Sequence, residues 1–122
     1  YDKPGYMLIR LNHVSDGIKK KYGALKNISD SQGHQDFYLF WRPPIIFKKF
    51  YYYYQGEEVL TLQNMMAKMN LYTARLDGMV GKNLMMAVVD FQKQMGLPVT
   101  GFPDVKTIFL LCYEVENIKN DA

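Results

Sequence analysis

The segment LDGMVGKNL, residues 76–84, sets two glycines directly ahead of an apolar helical run, and phosphate binding is the first chemistry such a turn could serve. A phosphate-cradling loop of the Walker type needs more glycines and a Lys–Ser/Thr pair, and it follows a buried strand. Here Asp77 would point a carboxylate at the phosphate, and Leu84 stands where a polar side chain is wanted. The same residues suit a structural turn. Asp77 can accept from backbone N–H groups of its own turn, Gly78 can take a positive φ, and Gly81 can begin the helix without a side-chain clash. TGFPDVKTIFLL, residues 100–111, repeats the arrangement with Thr100-Gly101 and Asp104. A turn–helix entrance used twice is a scaffold.

Catalytic constellations are poorly supplied. A nucleophilic cysteine needs a histidine beside it in an accessible pocket. The one cysteine, Cys112, falls in an apolar helical stripe, whereas His13 and His34 lie in the other half of the chain among polar turn residues. Two isolated histidines without helical ligand spacing do not make a zinc site, and a lone cysteine excludes an internal disulfide. The adjacent carboxylates Glu57 and Glu58 have a structural use in the first turn of a helix, facing the positive end of its dipole. The sequence reads as a non-enzyme, with no metal and no cofactor.

The elements that would position these residues divide into two kinds. The chain has 122 residues, of which 48% are apolar, so it can bury a core. Its formal charge of +3 is mild, and Lys19-Lys20-Lys21 and Lys48-Lys49 form local groups, not a basic face; nucleic acid is not an expected partner. There is no initiator methionine, no signal sequence and no apolar run long enough for a bilayer, so the chain reads as a piece of a larger protein that makes no membrane contact itself.

Residues 1–54 read as a β-rich extension. YMLIRLN (6–12) and DFYLFWR (36–42) are strand candidates, and the glycine-punctuated stretch between them reads as turns with one short strand. Pro43-Pro44 ends any pairing that includes Trp41. IIFKKFYYYY (45–54) reads as a third extended run, whose alternating rings would leave at most two tyrosines exposed and pack the others between the extension and the helices.

Beyond Gly56 the period becomes helical. The first stripe is Val59, Leu62, Met66 and Met69; the second is Leu84, Val88, Phe91 and Met95, stopped by Gly96. The third is Ile108, Leu111, Cys112, Val115 and Ile118, with Asp104 as its N-cap. Three helices of about 12–15 residues, each marginal alone, point to a bundle over 55–122. The expected fold class is α+β: a three-helix bundle preceded by a small β-rich extension.

The pattern Gly56…Val59…Leu62-Gln63…Asp77-Gly78-x-x-Gly81…Ala87-Val88…Phe91-Gln92…Gly96-Leu97…Gly101…Thr107…Leu111 closely resembles the peptidoglycan-binding domain of bacterial wall hydrolases and envelope proteins. The resemblance spans about residues 55–118. Leu84, Thr100 and Asp104 depart from that family's usual threonine, aspartate and glycine, and both helix entrances keep workable capping chemistry. The resemblance implies peptidoglycan as the partner. That polymer offers sugar faces, amides and carboxylates to a shallow groove. Tyr72, Arg75, Asp77, Gly78, Asn83, Gln92 and Lys93, beside the first loop or on the second helix, are the candidate contacts, with Arg75 suited to a stem-peptide carboxylate. Gln63 and Gln92 have an equal alternative, hydrogen-bonding loop backbone to hold the helices in register.

YLFWRPP (38–44), followed after eleven residues by GEEVLTLQ (56–63), resembles the periplasmic end of the general secretion pathway protein A family. That resemblance implies a periplasmic location, a parent anchored in the inner membrane, a role in type II secretion, general secretion pathway protein B as a further partner, and an extension that is the tail of a degenerate peptidase-like region. Two other roles remain open on the same scaffold: a protein–protein interaction module, and the targeting module of a wall hydrolase.

Overall fold

The computed structural model describes residues 5–11, 15–22, 26–29 and 35–120. His13 and His34 lie outside them. The chain forms two compact units, Tyr1–Pro44 and Ile45–Ala122.

In the first unit, β1 (Met7–Leu11), β2 (Lys26–Ser29) and β3 (Gln35–Trp41) build an antiparallel sheet of order β1-β3-β2, and α1 (Asp16–Lys21) lies between β1 and β2 in the chain. Strand alternation sorts its faces: Ile9 pairs with Leu39 and both are buried, while the adjacent pair Leu8 and Phe40 is exposed. The expected strands at both ends are present, and so is the short one between them. Helix α1 was not foreseen. Ser15 caps it by accepting from Ile18 N–H at 3.3 Å, and its single buried residue, Ile18, is too little for a periodic signal. Trp41 ends β3 just ahead of the two prolines.

In the second unit, α2 (Glu57–Lys68), α3 (Lys82–Met95) and α4 (Val105–Asn120) pack on one another in all three pairings. Val59, Leu62 and Met66 of α2, Leu84, Val88 and Phe91 of α3, and Ile108, Phe109 and Leu111 of α4 form the core. The foreseen stripes of α2 and α3 hold except at the helix ends, where Met69 and Met95 are not buried; that of α4 holds at Ile108 and Leu111, while Cys112 and Val115 are half-buried and Ile118 is exposed. Helix α4 departs further: Thr107 through Leu111 are buried without interruption, on a helix that packs against both others. Gly96 takes the left-handed conformation (φ 70°) that stops α3.

The stretch 45–54 contradicts its sequence reading. It forms no regular strand and belongs to the helical unit, ahead of the boundary expected after residue 54. Phe47 is buried, meets Phe50 edge-on at 5.5 Å, and Phe50 meets Phe102 at 6.4 Å. The tyrosines are not shared evenly between two faces either: Tyr51, Tyr52 and Tyr53 are all exposed. A turn at 51–54 breaks the alternation that an extended chain would impose.

Candidate functional site

The loop between α2 and α3 is built around one buried amide. Gln63 sits inside α2 with no solvent exposure. Its Oε1 accepts from Gly78 N–H at 2.8 Å, and its Nε2 donates to Asp77 Oδ1, Met79 O and Tyr72 Oη at 3.0, 3.0 and 3.1 Å. Asp77 Oδ1 also accepts from Met79 N–H at 3.0 Å, the turn predicted for it. Gly78 has the positive φ that turn requires, 71°.

The loop between α3 and α4 repeats the wiring. Gln92 Oε1 accepts from Thr100 and Gly101 N–H, both at 3.0 Å, and Nε2 donates to Thr100 Oγ1, Phe102 O and Thr107 Oγ1. Thr100 replaces Asp77 and Gly101 (φ 74°) replaces Gly78. Asp104 caps α4 by accepting from Thr107 N–H at 2.9 Å.

The first loop opens onto a groove of about 230 Å³ whose lining includes Tyr53, Tyr72, Arg75, Asp77, Lys82 and Asn83. A neighbouring depression shares Asp77 and adds Gly78, Gln55, Glu57 and Leu60. Arg75, Asp77 and Asn83 are exposed at the groove, so a guanidinium, a carboxylate and an amide face solvent together. Bonds from the Gln63 amide and Met79 N–H, assisted by the nearby Arg75 charge, hold the Asp77 carboxyl below its ordinary range. Burial, then the Asp77 charge, pushes the Tyr72 phenol up, so it stays neutral and donates to Arg75 O.

Of the residues proposed from sequence, Tyr72, Arg75, Asp77 and Asn83 come together. Three do not join them. Gln92 is fully buried with both amide atoms engaged by the second loop, which removes it as a ligand contact and leaves its alternative, holding loop to helix. Gly78 is buried and belongs to the neighbouring depression. Lys93 is exposed on α3 but is not among the groove's lining residues. The two entrances therefore do not converge on one polar surface; only the first shapes the groove. Gly81 proves dispensable sterically, since a Cβ there meets nothing within 4 Å. The lining also contains a cation and an aromatic ring that were not among the proposed contacts, Lys82 and Tyr53. Lys82 gave a signal, as the first residue of a helix that follows the loop. Tyr53 belongs to the tyrosine run, whose sequence reading favours packing between the extension and the helices over a stacking surface; its positive-φ turn position had no sequence signal, because tyrosine is a poor marker for it.

Catalytic geometry is thin in the described residues. Cys112 is half-buried with Sγ 3.9 Å from Met65 Sδ, and no three His, Cys, Asp or Glu side chains among the described residues converge as metal ligands. No helix among them is long and apolar enough to cross a membrane.

Residues 55–111 match the family model of the putative peptidoglycan binding domain. The spore cortex-lytic enzyme of Bacillus cereus is 34% identical over 67 residues, covering 55% of this chain and 26% of the enzyme. The chain thus spans about a quarter of that relative's length. The crystal structure of the SleB N-terminal domain superposes with a TM-score of 0.53 and 29% identity, covering 58% of this chain and 99% of that one. The fold is α+β, and its helical unit shares the fold of the SleB N-terminal domain.

Proposed function

We propose that the helical unit binds peptidoglycan without cleaving it, through the groove beside the Asp77 loop, and so holds a larger protein at the cell wall. The observation that supports this most directly is the grouping of Arg75, Asp77, Asn83 and Lys82 along one groove, inside the segment that matches the peptidoglycan-binding family. A wall polymer presents carboxylates and amides on its stem peptides and hydroxyls on its sugars. Arg75 offers a bidentate donor to a carboxylate, Lys82 a second cation, and the ordered Asp77 carboxylate an acceptor for N–H or O–H groups. A groove with few, fixed polar groups suits recognition of a repeating polymer, where weak sites add through avidity.

The decisive experiment is a pull-down on purified sacculi. Wild-type protein is retained; Arg75→Ala and Asn83→Ala lose retention with unchanged melting, while Lys93→Ala, away from the groove, keeps it. Equal retention of all four proteins would count against this site, and no retention of the wild type would count against the function.

The parent protein is a separate proposal. The Bacillus cereus enzyme supports a targeting role beside a lytic domain. The Tyr38–Pro44 motif supports instead a general secretion pathway protein A parent in the periplasm, with general secretion pathway protein B as its partner and a part in type II secretion. The reading frame ahead of Tyr1 separates them: a membrane span and an ATPase there favour the secretion parent, a hydrolase domain on either side the lytic one.

A further inference from the structure

Tyr53 precedes the segment that the family model covers, residues 55–111, yet it lines the groove. It is the third residue of a turn closed by Tyr54 N–H to Tyr51 O at 3.0 Å, and its φ is 73°. A turn of type II asks for positive φ there and ordinarily places glycine, because a Cβ strains that conformation. Burial does not offset the strain, since Tyr53 is 80% exposed. What holds the conformation is a pair of backbone bonds to the first loop: Tyr53 N–H to Val80 O and Val80 N–H to Tyr54 O, each 2.9 Å. The strained turn is thus fastened to the same loop that carries Asp77. The Tyr52 ring, also half in solvent, lies tilted beside Tyr53 at 6.5 Å and widens the aromatic surface.

An exposed, unburied ring on a fixed and strained backbone, at the margin of a groove that also holds a guanidinium and an amide, is preorganised for a ligand with a flat apolar face next to polar groups. A pyranose ring of a glycan strand has that character: its C–H face meets an aromatic ring while its substituents reach outward. Resting on the wall-binding reading above, we propose that Tyr53 is the sugar-contacting wall of the groove, stacking on a glycan ring while Arg75 and Asn83 engage the attached peptide. The chain would then read glycan and peptide together, the glycan through a residue that the matched family segment does not include.

The test uses the 122-residue chain with three ligands: intact sacculi, peptide-free glycan strands and free stem peptide. Tyr53→Gly relaxes the backbone and removes the ring; Tyr53→Trp keeps a stacking face. The expected result is that Tyr53→Gly melts no lower than wild type but binds peptide-free glycan about five- to tenfold more weakly, with Tyr53→Trp close to wild type. Unchanged glycan affinity in Tyr53→Gly, with Arg75→Ala still losing sacculi, overturns the stacking role and leaves the wall reading standing. A wild type that holds sacculi but no peptide-free glycan does the same. Lower melting of Tyr53→Gly, restored by Tyr53→Leu, assigns the ring to packing and also overturns it. A wild type that holds no sacculi removes both proposals.

Discussion

Gln63 Nε2 lies 3.0 Å from Asp77 Oδ1, joining a fully buried amide to an exposed carboxylate at the groove. In the second loop Gln92 Nε2 lies 3.2 Å from Thr100 Oγ1 in the corresponding place. Each glutamine offers two N–H donors to three acceptors and one carbonyl to loop N–H groups, so each loop hangs from a single side chain of the preceding helix. The loop that faces the candidate ligand is therefore shaped from inside the bundle.

Replacing either glutamine by leucine strands its buried partners. Gln63→Leu takes the partner from Gly78 N–H and Met79 O, while the Tyr72 hydroxyl keeps Arg75 O. Gln92→Leu takes it from Thr100 and Gly101 N–H, while Phe102 O keeps Asp104 N–H and the Thr107 hydroxyl keeps Asp104 Oδ1. At about 1–3 kcal/mol for a buried group left unsatisfied, each variant should lose about 2–4 kcal/mol. Urea unfolding of both measures it. Gln63→Glu should be worse near neutral pH than in acid, because a carboxylate then faces Asp77.

The acid limb of stability follows from Asp77. Hydrogen bonds from Gln63 and Met79 lower its folded pKa, so the folded state gives up this proton more readily than the unfolded chain. The contribution is complete above the unfolded value, near pH 4, and is lost as pH falls through the lower folded value. Unfolding midpoints of wild type and Asp77→Asn should run parallel between about pH 5 and 7 and converge below about pH 4. A gap that stays constant down to strong acid contradicts the assignment.

Three glycines that look alike in the sequence have different reasons to be there. Gly78 combines φ 71° with a Cβ position 3.3 Å from Gly56 O, so Gly78→Ala meets both backbone strain and a backbone atom. Gly101 has φ 74° but only Val89 Cγ2 at 3.6 Å, so Gly101→Ala should cost less, about 1 kcal/mol. Gly81 has extended φ, open space, and an N-cap place with no side-chain bond. Gly81→Ser should stabilise by about 0.5–1 kcal/mol, adding a cap and restricting the unfolded chain. The order of melting temperatures, Gly81→Ser above wild type above Gly101→Ala above Gly78→Ala, checks all three.

The helical half was legible because its signals are local and repeated. The stripes at Val59, Leu84 and Ile108, the Asp104 cap and the Gly96 stop each follow from a period or a cap that needs no knowledge of neighbours. The site was legible only in part. Arg75, Asp77 and Asn83 stand out as polar residues around one loop, but nothing in residue type distinguishes Gln92, which turns inward, from an exposed glutamine on the same helix. The tyrosine run stood out, but its reading as packed rings on an extended chain failed at Tyr53: local preference places glycine in its conformation, and the bonds from Val80 that override it come from a segment far along the chain.

The balance of charge around the groove gives the last prediction. Arg75, Lys82 and Asp77 line it together, two cations against one carboxylate that its hydrogen bonds keep ionised at neutral pH. A ligand held through its own carboxylates gains from that excess, and the gain shrinks as salt screens exposed charges over about 8–10 Å. Raising salt should therefore weaken retention on sacculi in wild type. Arg75→Ala should bind more weakly and respond less to salt, and Asp77→Asn, which keeps an acceptor for the turn but removes the opposing charge and one ligand acceptor, should respond more steeply to salt. Equilibrium binding of the three proteins at low and high salt measures this. Equal salt slopes would assign binding to stacking and neutral hydrogen bonds, and Arg75 would then be only a solvated residue at the rim.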